Sequence, residues 1–157
     1  MRAITLHEPW ATMIADGTKT YETRHWAPPS TLYGRRIAIH AGRTVDVDAV
    51  DLFDYDLGAM YENAGKFACT AVLSHAFRVK SYKLLVRRHR RHYVVTTGEV
   101  RGGVEVPPTM TADRYGDWSK GRWIWALIDV RALDERIPCH GQQGFWNVPE
   151  DIEGRLP

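Results

Sequence analysis

The sequence predicts a mostly β fold with helices, an α+β arrangement in which short strands form a compact barrel. About six short segments have the apolar or alternating pattern of strands, and two segments, one early and one central, have helical spacing. A doubly wound βαβ fold needs a helix between most successive strands. The count therefore favours a barrel decorated by helices.

The first quarter of the chain predicts a strand, a short helix and a second strand. The segment RAITLH is the first strand, and EPWATMIADG is the helix. Pro9 suits the first helical position, Glu8 suits the positive helix N-terminus, and Gly17 is a natural stop. The segment KTYETRHW then predicts a strand that ends at the prolines of APPS.

The middle of the chain predicts a third strand, YGRRIAIHA, followed by a helix over residues 46–63. Val50, Phe53 and Leu57 are spaced three and four apart among aspartates, which indicates an amphipathic helix with an acidic, solvated outer face. KFACTAVLSHAFRV predicts either a strand pair or one long strand.

The last third predicts a long Gly/Pro/Thr-rich loop with weak strand content over residues 98–121. RWIWALIDVRAL, residues 122–133, is the clearest buried strand of the chain. Gly141 and Gly144 then bracket a turn in IPCHGQQGFWNVP. Trp123 and Trp125 alternate with an isoleucine in the buried strand, which favours core packing for both rings.

Length and composition bound the class of protein. The chain has 157 residues, which predicts a single domain over 1–157, and its net charge is only +2. Two cysteines, Cys69 and Cys139, make neither a disulfide framework nor a metal-ligand spacing, so no metal and no cofactor is expected. The sequence has no apolar run of membrane-span length and no signal peptide, so we expect a soluble cytoplasmic protein that does not bind membranes.

Three segments together resemble the ASCH domain family, whose fold is a PUA-like β-barrel. Gly17, Lys19, Glu22 and Arg24 match the family's G-x-K-x-x-E-x-R core in order and spacing. The Pro-Trp before the helix, the Ile-His-Ala strand and the ending from Gly141 to Trp146 match one branch of the family. Residues 78–118 look like a basic insertion particular to this chain.

The resemblance implies association with RNA or a modified nucleobase, because the family is thought of as RNA-associated. One small branch is an amidohydrolase that removes the acetyl group from N4-acetylcytidine with a Lys, a Thr three residues later and a Glu from a later strand. Lys19 matches that Lys. Glu22 stands where the Thr would be, and FACTAVLS offers no Glu.

The residue types around Glu22 suit a nucleobase independently of the family. On a regular strand Glu22, Arg24 and Trp26 share one face. A carboxylate accepts from an exocyclic amine, a guanidinium donates to a carbonyl or phosphate, and an indole stacks. The alternative is a surface ion pair of Glu22 with Arg24, which stabilises little. If the protein is an enzyme, Lys19 and Glu22 are the candidate acid–base residues.

Further candidate ligand-binding residues flank this segment, each with a structural alternative. Trp10 is equally explained as a core residue, whereas a hydrogen-bonded structural role is the favoured interpretation of His40. Phe145 and Trp146 follow a glycine-rich turn that is expected to expose at least one ring for stacking. These further candidates are His7, Trp10, His40 and Trp146.

A basic stretch is the strongest sign of a nucleic-acid partner. No acid occurs between Glu62 and Glu99, while cations accumulate and tyrosines interleave with them. Such a stretch is typical of phosphate contact, although a solvated loop balanced by the acidic helix would look the same. The cations at its centre are Arg87, Arg88, Arg90 and Arg91.

The sequence thus favours a protein that binds RNA or a modified nucleoside or nucleotide in a pocket around the GxKxxExR motif. A hydrolase acting on a modified nucleoside, or a ribonuclease, is the first alternative. A module that binds a different ligand or a protein is the second. The oligomeric state is not predicted.

Overall fold

The computed structural model describes residues 1–87, 90–112 and 115–157, and side chains outside 85–92 and 111–114. The strands are β1 (Arg2–Glu8), β2 (Tyr21–Arg24), β3 (Arg35–Val45), β4 (Lys66–Arg87), β5 (Arg90–Arg101), β6 (Thr109–Ala112), β7 (Trp123–Pro138) and β8 (Phe145–Asn147). The α-helices are α1 (Trp10–Ala15), α2 (Val47–Leu52), α3 (Leu57–Asn63) and α4 (Glu150–Glu153), and a 3-10 turn covers Ser30–Leu32.

The strands form one mixed sheet of eight strands, which confirms the mostly β fold with helices. Its order is β2-β7-β4-β3-β1-β8, with β5 paired to β4 and β6 paired to β5. The sheet is not closed into a barrel, so that part of the expectation is not met. Strands are also more numerous than the six expected, because the 78–118 segment is largely paired rather than looped.

The chain divides into two compact units. The first unit comprises Met1–Lys19, Arg36–Val72 and Asp129–Pro157. The second comprises Thr20–Arg35 and Leu73–Ile128. The two longest strands, β4 and β7, each contribute residues to both units.

In the first unit β1 is the organising strand. It pairs in parallel with β3, with Thr5 opposite His40, and antiparallel with β8, with Ala3 opposite Trp146. A core forms where these strands meet, around Ala38, Phe67 and Trp146. Its apolar side chains are contributed by separate parts of the chain, so burial of this core holds the unit's segments together.

The helix expected over residues 46–63 is two helices. Asp54 between them has φ 60°, a left-handed conformation that ends α2. Asp46 caps α2 by accepting from Ala49 N at 3.1 Å, and Asp56 caps α3 by accepting from Ala59 N at 2.6 Å. Two of the acids interpreted as solvation are therefore helix caps, which also explains why a second helix can start here.

In the second unit β4, β5 and β6 form an antiparallel meander. Phe77 lies opposite Val100, and Val95 lies opposite Met110. The loop expected over residues 98–121 is wrong in part, since β5 extends to Arg101 and β6 begins at Thr109. Threonine and valine at these positions fit a paired, half-buried strand better than a loop.

Candidate functional site

The pairing of β2 with β7 brings charged and aromatic side chains onto one face of the second unit. Glu22 lies opposite Trp125 and Arg24 lies opposite Trp123. Directly opposite residues point to the same side of a sheet, so all four side chains share one face. Glu22 is 8% exposed, and Arg24 Nε lies 2.9 Å from its Oε1.

The opposite face of the same strand pair is core. Tyr21 packs edge-on against Phe77 and Trp118, with ring centroids 6.4 and 6.1 Å apart. Ile124 is fully buried in the same cluster. The face that carries Glu22 is therefore the one on which β2 can present polar groups, because the other face is filled by apolar side chains.

Trp26, just beyond β2, is anchored on the same face as Glu22 by Trp125. The ring centroids lie 4.8 Å apart at 71°, and Trp125 Nε1 donates to Trp26 O at 3.2 Å. Trp125 is completely buried, whereas Trp26 is half-buried. The face predicted for Glu22, Arg24 and Trp26 therefore includes an indole ring that is held in place by Trp125 and is still partly accessible.

Sequence reasoning missed Arg101, which contacts this face, and Tyr33, whose hydroxyl lies within reach of the charge of Arg101. Arg101 places its Cζ 4.7 Å from the ring centroid of Trp123, a cation–π contact, and its guanidinium also pairs with Glu99 at 2.7 Å. Burial raises the pKa of the Tyr33 hydroxyl, and the charge of Arg101 opposes that rise. Trp123 is 6% exposed, which confirms the core packing predicted for it. Only the register of β2 against β7 reveals that it belongs to the face of Arg24.

In the first unit Glu8 is the most deeply buried charged group of the β1–α1 junction. Its side chain is fully buried and accepts from Arg136 Nη1 at 2.7 Å, Thr12 Oγ1 at 2.9 Å and Thr12 N at 3.0 Å. Arg136 Nη2 also donates to Thr12 Oγ1 at 2.8 Å. Glu8 therefore satisfies a free N–H of the first turn of α1, in line with its expected place at the helix N-terminus.

The other candidates of the β1–α1 junction are less enclosed. His7 is exposed, since neighbouring residues of β1 point to opposite faces. Trp10 is half-buried and packs edge-on against Phe53 with ring centroids 5.6 Å apart.

His40 and Trp146 lie together in the core of the first unit. Their ring centroids are 5.6 Å apart, and Trp146 Nε1 donates to Thr5 Oγ1 at 3.1 Å. His40 Nε2 donates to the carbonyl of Cys139 at 3.0 Å. Trp146 is 4% exposed and Phe145 is half-buried, so neither ring after the turn is fully exposed and Phe145 is the more accessible of the two.

The packing around His40 requires glycine at position 141. A Cβ there would lie 2.6 Å from His40 Nδ1 and 2.7 Å from Thr5 Oγ1. Burial lowers the pKa of His40 and outweighs the hydrogen bonds to the Cys139 and Gly65 backbone, which raise it. The imidazole is thereby favoured as the neutral form at physiological pH.

Comparison with known families gives a match over most of the chain. The model of the ASCH domain matches residues 4–123. The chain belongs to the ASCH domain family. Membership places it in the PUA-like superfamily and is consistent with binding of RNA or a nucleobase. No curated protein matches the chain.

The ASCH match includes the whole GxKxxExR motif and ends before the glycine-rich turn of Gly141 and Gly144.

Of the motif residues, Gly17 has φ 80° and ends α1, as expected. Lys19, in the first unit of this ASCH domain, is 2% exposed, and its backbone N–H donates to Met13 O at 2.8 Å. Lysine is rarely so deeply buried unless it is paired.

Within residues 1–87, 90–112 and 115–157, no three His, Cys, Asp or Glu side chains are grouped as metal ligands, and no helix is long and apolar enough to cross a membrane. The side chains of the predicted basic cluster lie outside the described residues. These are Arg87, Arg88, Arg90 and Arg91.

Proposed function

We propose that this ASCH domain binds RNA or a modified nucleobase on the β2–β7 face of its second unit. The observation that carries the proposal is the Glu22–Arg24 pair, which lies beside the anchored ring of Trp26. A carboxylate and a guanidinium side by side present an acceptor and a fan of donors in one plane, as the edge of a base requires.

Burial favours recognition over a simple surface ion pair. Glu22 is almost enclosed, while the side chain of Arg24 is 29% exposed. An exposed pair gains little from its charges, but groups in a partly dry site bind polar partners more strongly and discriminate against a base that leaves them unpaired. Trp26 supplies the stacking surface on which single-stranded RNA recognition commonly relies.

A binding titration of short single-stranded RNAs and of modified and unmodified nucleosides tests the proposal. We expect Trp26→Ala to weaken binding by about 1–3 kcal/mol, the value of one base–aromatic stack. His25→Ala is the matched control, because His25 is an exposed ring next to Trp26 in the chain. Equal losses in both variants, or no loss in either, would contradict the proposal.

The same samples distinguish a binder from a hydrolase. Mass spectrometry of each nucleoside and RNA after incubation would reveal a deacetylated or cleaved product. Turnover that disappears in Lys19→Ala would assign catalysis to this ASCH domain. Binding without product supports the proposal, and failure of every nucleoside and RNA to bind at low salt would favour a different ligand or a protein partner.

A further inference from the structure

A concave site separate from the β2–β7 face lies entirely within the first unit. It is a cavity of about 320 Å³ lined by Arg43, Ala64, Gly65, Lys66, Pro138, Cys139 and His140. Its volume is at the lower end of the range for small-molecule sites, about 300–1,000 Å³. None of the GxKxxExR residues lines it.

The cavity is formed where three strands come together. Arg43 belongs to β3, Lys66 begins β4, and Cys139 follows β7. Gly65 joins them through its backbone: its N–H donates to Ala41 O at 2.9 Å, and its carbonyl accepts from Cys139 N at 2.9 Å. Gly65 has φ 77°, which other residues rarely adopt, so glycine is favoured at the point where these backbone hydrogen bonds join the strands.

The lining is basic. Two permanent cations, Arg43 and Lys66, and one imidazole, His140, line the cavity, and no acidic side chain does. In the part of the chain that the structure describes, neither Arg43 nor Lys66 forms an ion pair. Burial raises the pKa of the Cys139 thiol, and the negative charge of Asp151 raises it further. Asp151 does not line the cavity.

We propose that this cavity is a binding site for a phosphate monoester. A lining with cationic side chains and no acidic one favours a compact anion, and a phosphate dianion offers oxygens that a guanidinium, an ammonium and an imidazole can bind. The choice of a nucleotide phosphate, either on a mononucleotide or at the phosphorylated end of a nucleic-acid strand, rests on the proposed function. The site is independent of base recognition on the β2–β7 face, because it uses residues of the first unit alone.

Cys139 provides a direct measure of occupancy. It lines the cavity and is half-buried, while Cys69 is completely buried and burial raises the pKa of its thiol to about 12. Burial also raises the pKa of the Cys139 thiol, so the labelling needs alkaline pH, at which a neutral reagent such as iodoacetamide should label the accessible Cys139 and spare the buried Cys69 in the folded protein. We expect inorganic phosphate and nucleoside 5′-monophosphates to slow that labelling at constant ionic strength, and unphosphorylated nucleosides to leave its rate unchanged.

The decisive variant is the double substitution Arg43→Gln/Lys66→Gln. We expect phosphate and mononucleotides to bind it at least tenfold more weakly, with no remaining protection of Cys139. Arg155→Gln removes an exposed cation of the same unit that does not line the cavity, and should behave as wild type. Unchanged phosphate protection in the double variant would overturn the proposal.

Two further arms complete the test. Protection of Cys139 by a 5′-phosphorylated hexanucleotide is compared with protection by the same hexanucleotide with a 5′-hydroxyl and by a free mononucleotide. Stronger protection by a phosphorylated compound than by its unphosphorylated counterpart supports the proposal, and the better of the two phosphorylated ligands identifies the source of the phosphate. Equal protection of wild-type Cys139 by a nucleoside and its monophosphate would refute it without any variant. Trp26→Ala should leave phosphate protection intact, so failure of base recognition and failure of this site are separate results.

Discussion

Under the proposed function, Glu22 is the side chain that selects the edge of the base. Its carboxylate only accepts hydrogen bonds, and it is held by Arg24 on a face whose reverse side is core. A hydroxyl occupies the corresponding position in the amidohydrolase branch of the family. A carboxylate there suits recognition of an amine edge better than formation of an acyl intermediate.

We therefore predict that Glu22→Gln changes the order in which nucleosides bind. The amide keeps the shape of the side chain but replaces one acceptor by a donor, and a bidentate base contact discriminates by about 1–3 kcal/mol. Titration calorimetry with cytidine-type and uridine-type nucleosides measures the ranking. If the ranking survives while a measurable deacetylation or RNA cleavage is lost, the protein is an enzyme and Glu22 is part of its chemistry.

His40 links the stability of the protein to pH. Because burial lowers its pKa in the folded state, the unfolded chain binds a proton more readily. The stabilisation is present above the unfolded pKa, about 6.5, and is lost as pH falls through the folded value. His140 lowers the pKa of His40 further by charge repulsion.

We predict that the free energy of unfolding of the wild type falls more steeply below about pH 6.5 than that of His40→Gln. Urea unfolding at a series of pH values measures both slopes. His75, whose pKa is also lowered by burial, is present in both proteins and cancels in the comparison. Parallel profiles would show that the protonation of His40 is not coupled to folding.

At the level of elements, the buried pair of Glu8 and Arg136 joins β1 to β7. The two residues are 128 positions apart in the chain, and α1 contributes Thr12 to the same network. Neither charge is easily replaced alone, since removal of one partner leaves the other buried without compensation. The network therefore fixes where α1 and β7 lie relative to β1.

We predict that Arg136→Met destabilises the protein by about 3–5 kcal/mol. Glu8→Leu/Arg136→Met should cost less, because no uncompensated charge remains in the core. Arg131→Met is the control on the same strand: Arg131 and its partner Asp129 are about half exposed, and such a pair contributes at most about 1 kcal/mol. Chemical denaturation of the three variants measures these differences, and a double variant as unstable as Arg136→Met would contradict the account.

At the level of the whole molecule, the distribution of charge matters more than its sum. The net charge is only +2, yet the segment between Glu62 and Glu99 has cations and no acids. An extended cationic segment can bind phosphates while the rest of the surface remains balanced. Base recognition and backbone binding are then separable contributions to RNA affinity.

We predict that replacing Arg87, Arg88, Arg90 and Arg91 by Gln weakens RNA binding and flattens its salt dependence. Each lost phosphate contact should reduce the slope of log K against log salt concentration by about 0.7 for a single strand. Arg131→Gln/Arg155→Gln, which removes two exposed cations elsewhere, is the comparison. An unchanged slope in the fourfold variant would place the interface outside this segment.

The sequence by itself determined the features that depend on residues close together in the chain. Alternation placed Glu22 and Arg24 on one face of a strand, apolar spacing and Gly17 defined α1, and motif order identified the family. These features are local, because the two-residue period of a strand and the 3.6-residue period of a helix are properties of the backbone. The sequence prediction did not end the helix at Asp54, because the apolar spacing continues across that residue. The signal for a second helix was Asp56, a residue type that commonly caps helices and that caps α3 here.

The tertiary structure alone decided which faces are buried and which distant residues meet. The register of β2 against β7 brought Trp123 and Trp125 beside Arg24 and Glu22, and it filled the reverse face with core. The burial of His40 and the pairing of Glu8 with Arg136 depend on strands far apart in the chain. Such pairings are selected by the packing of the whole core, in which each side chain's environment is set by long-range neighbours that no local pattern specifies.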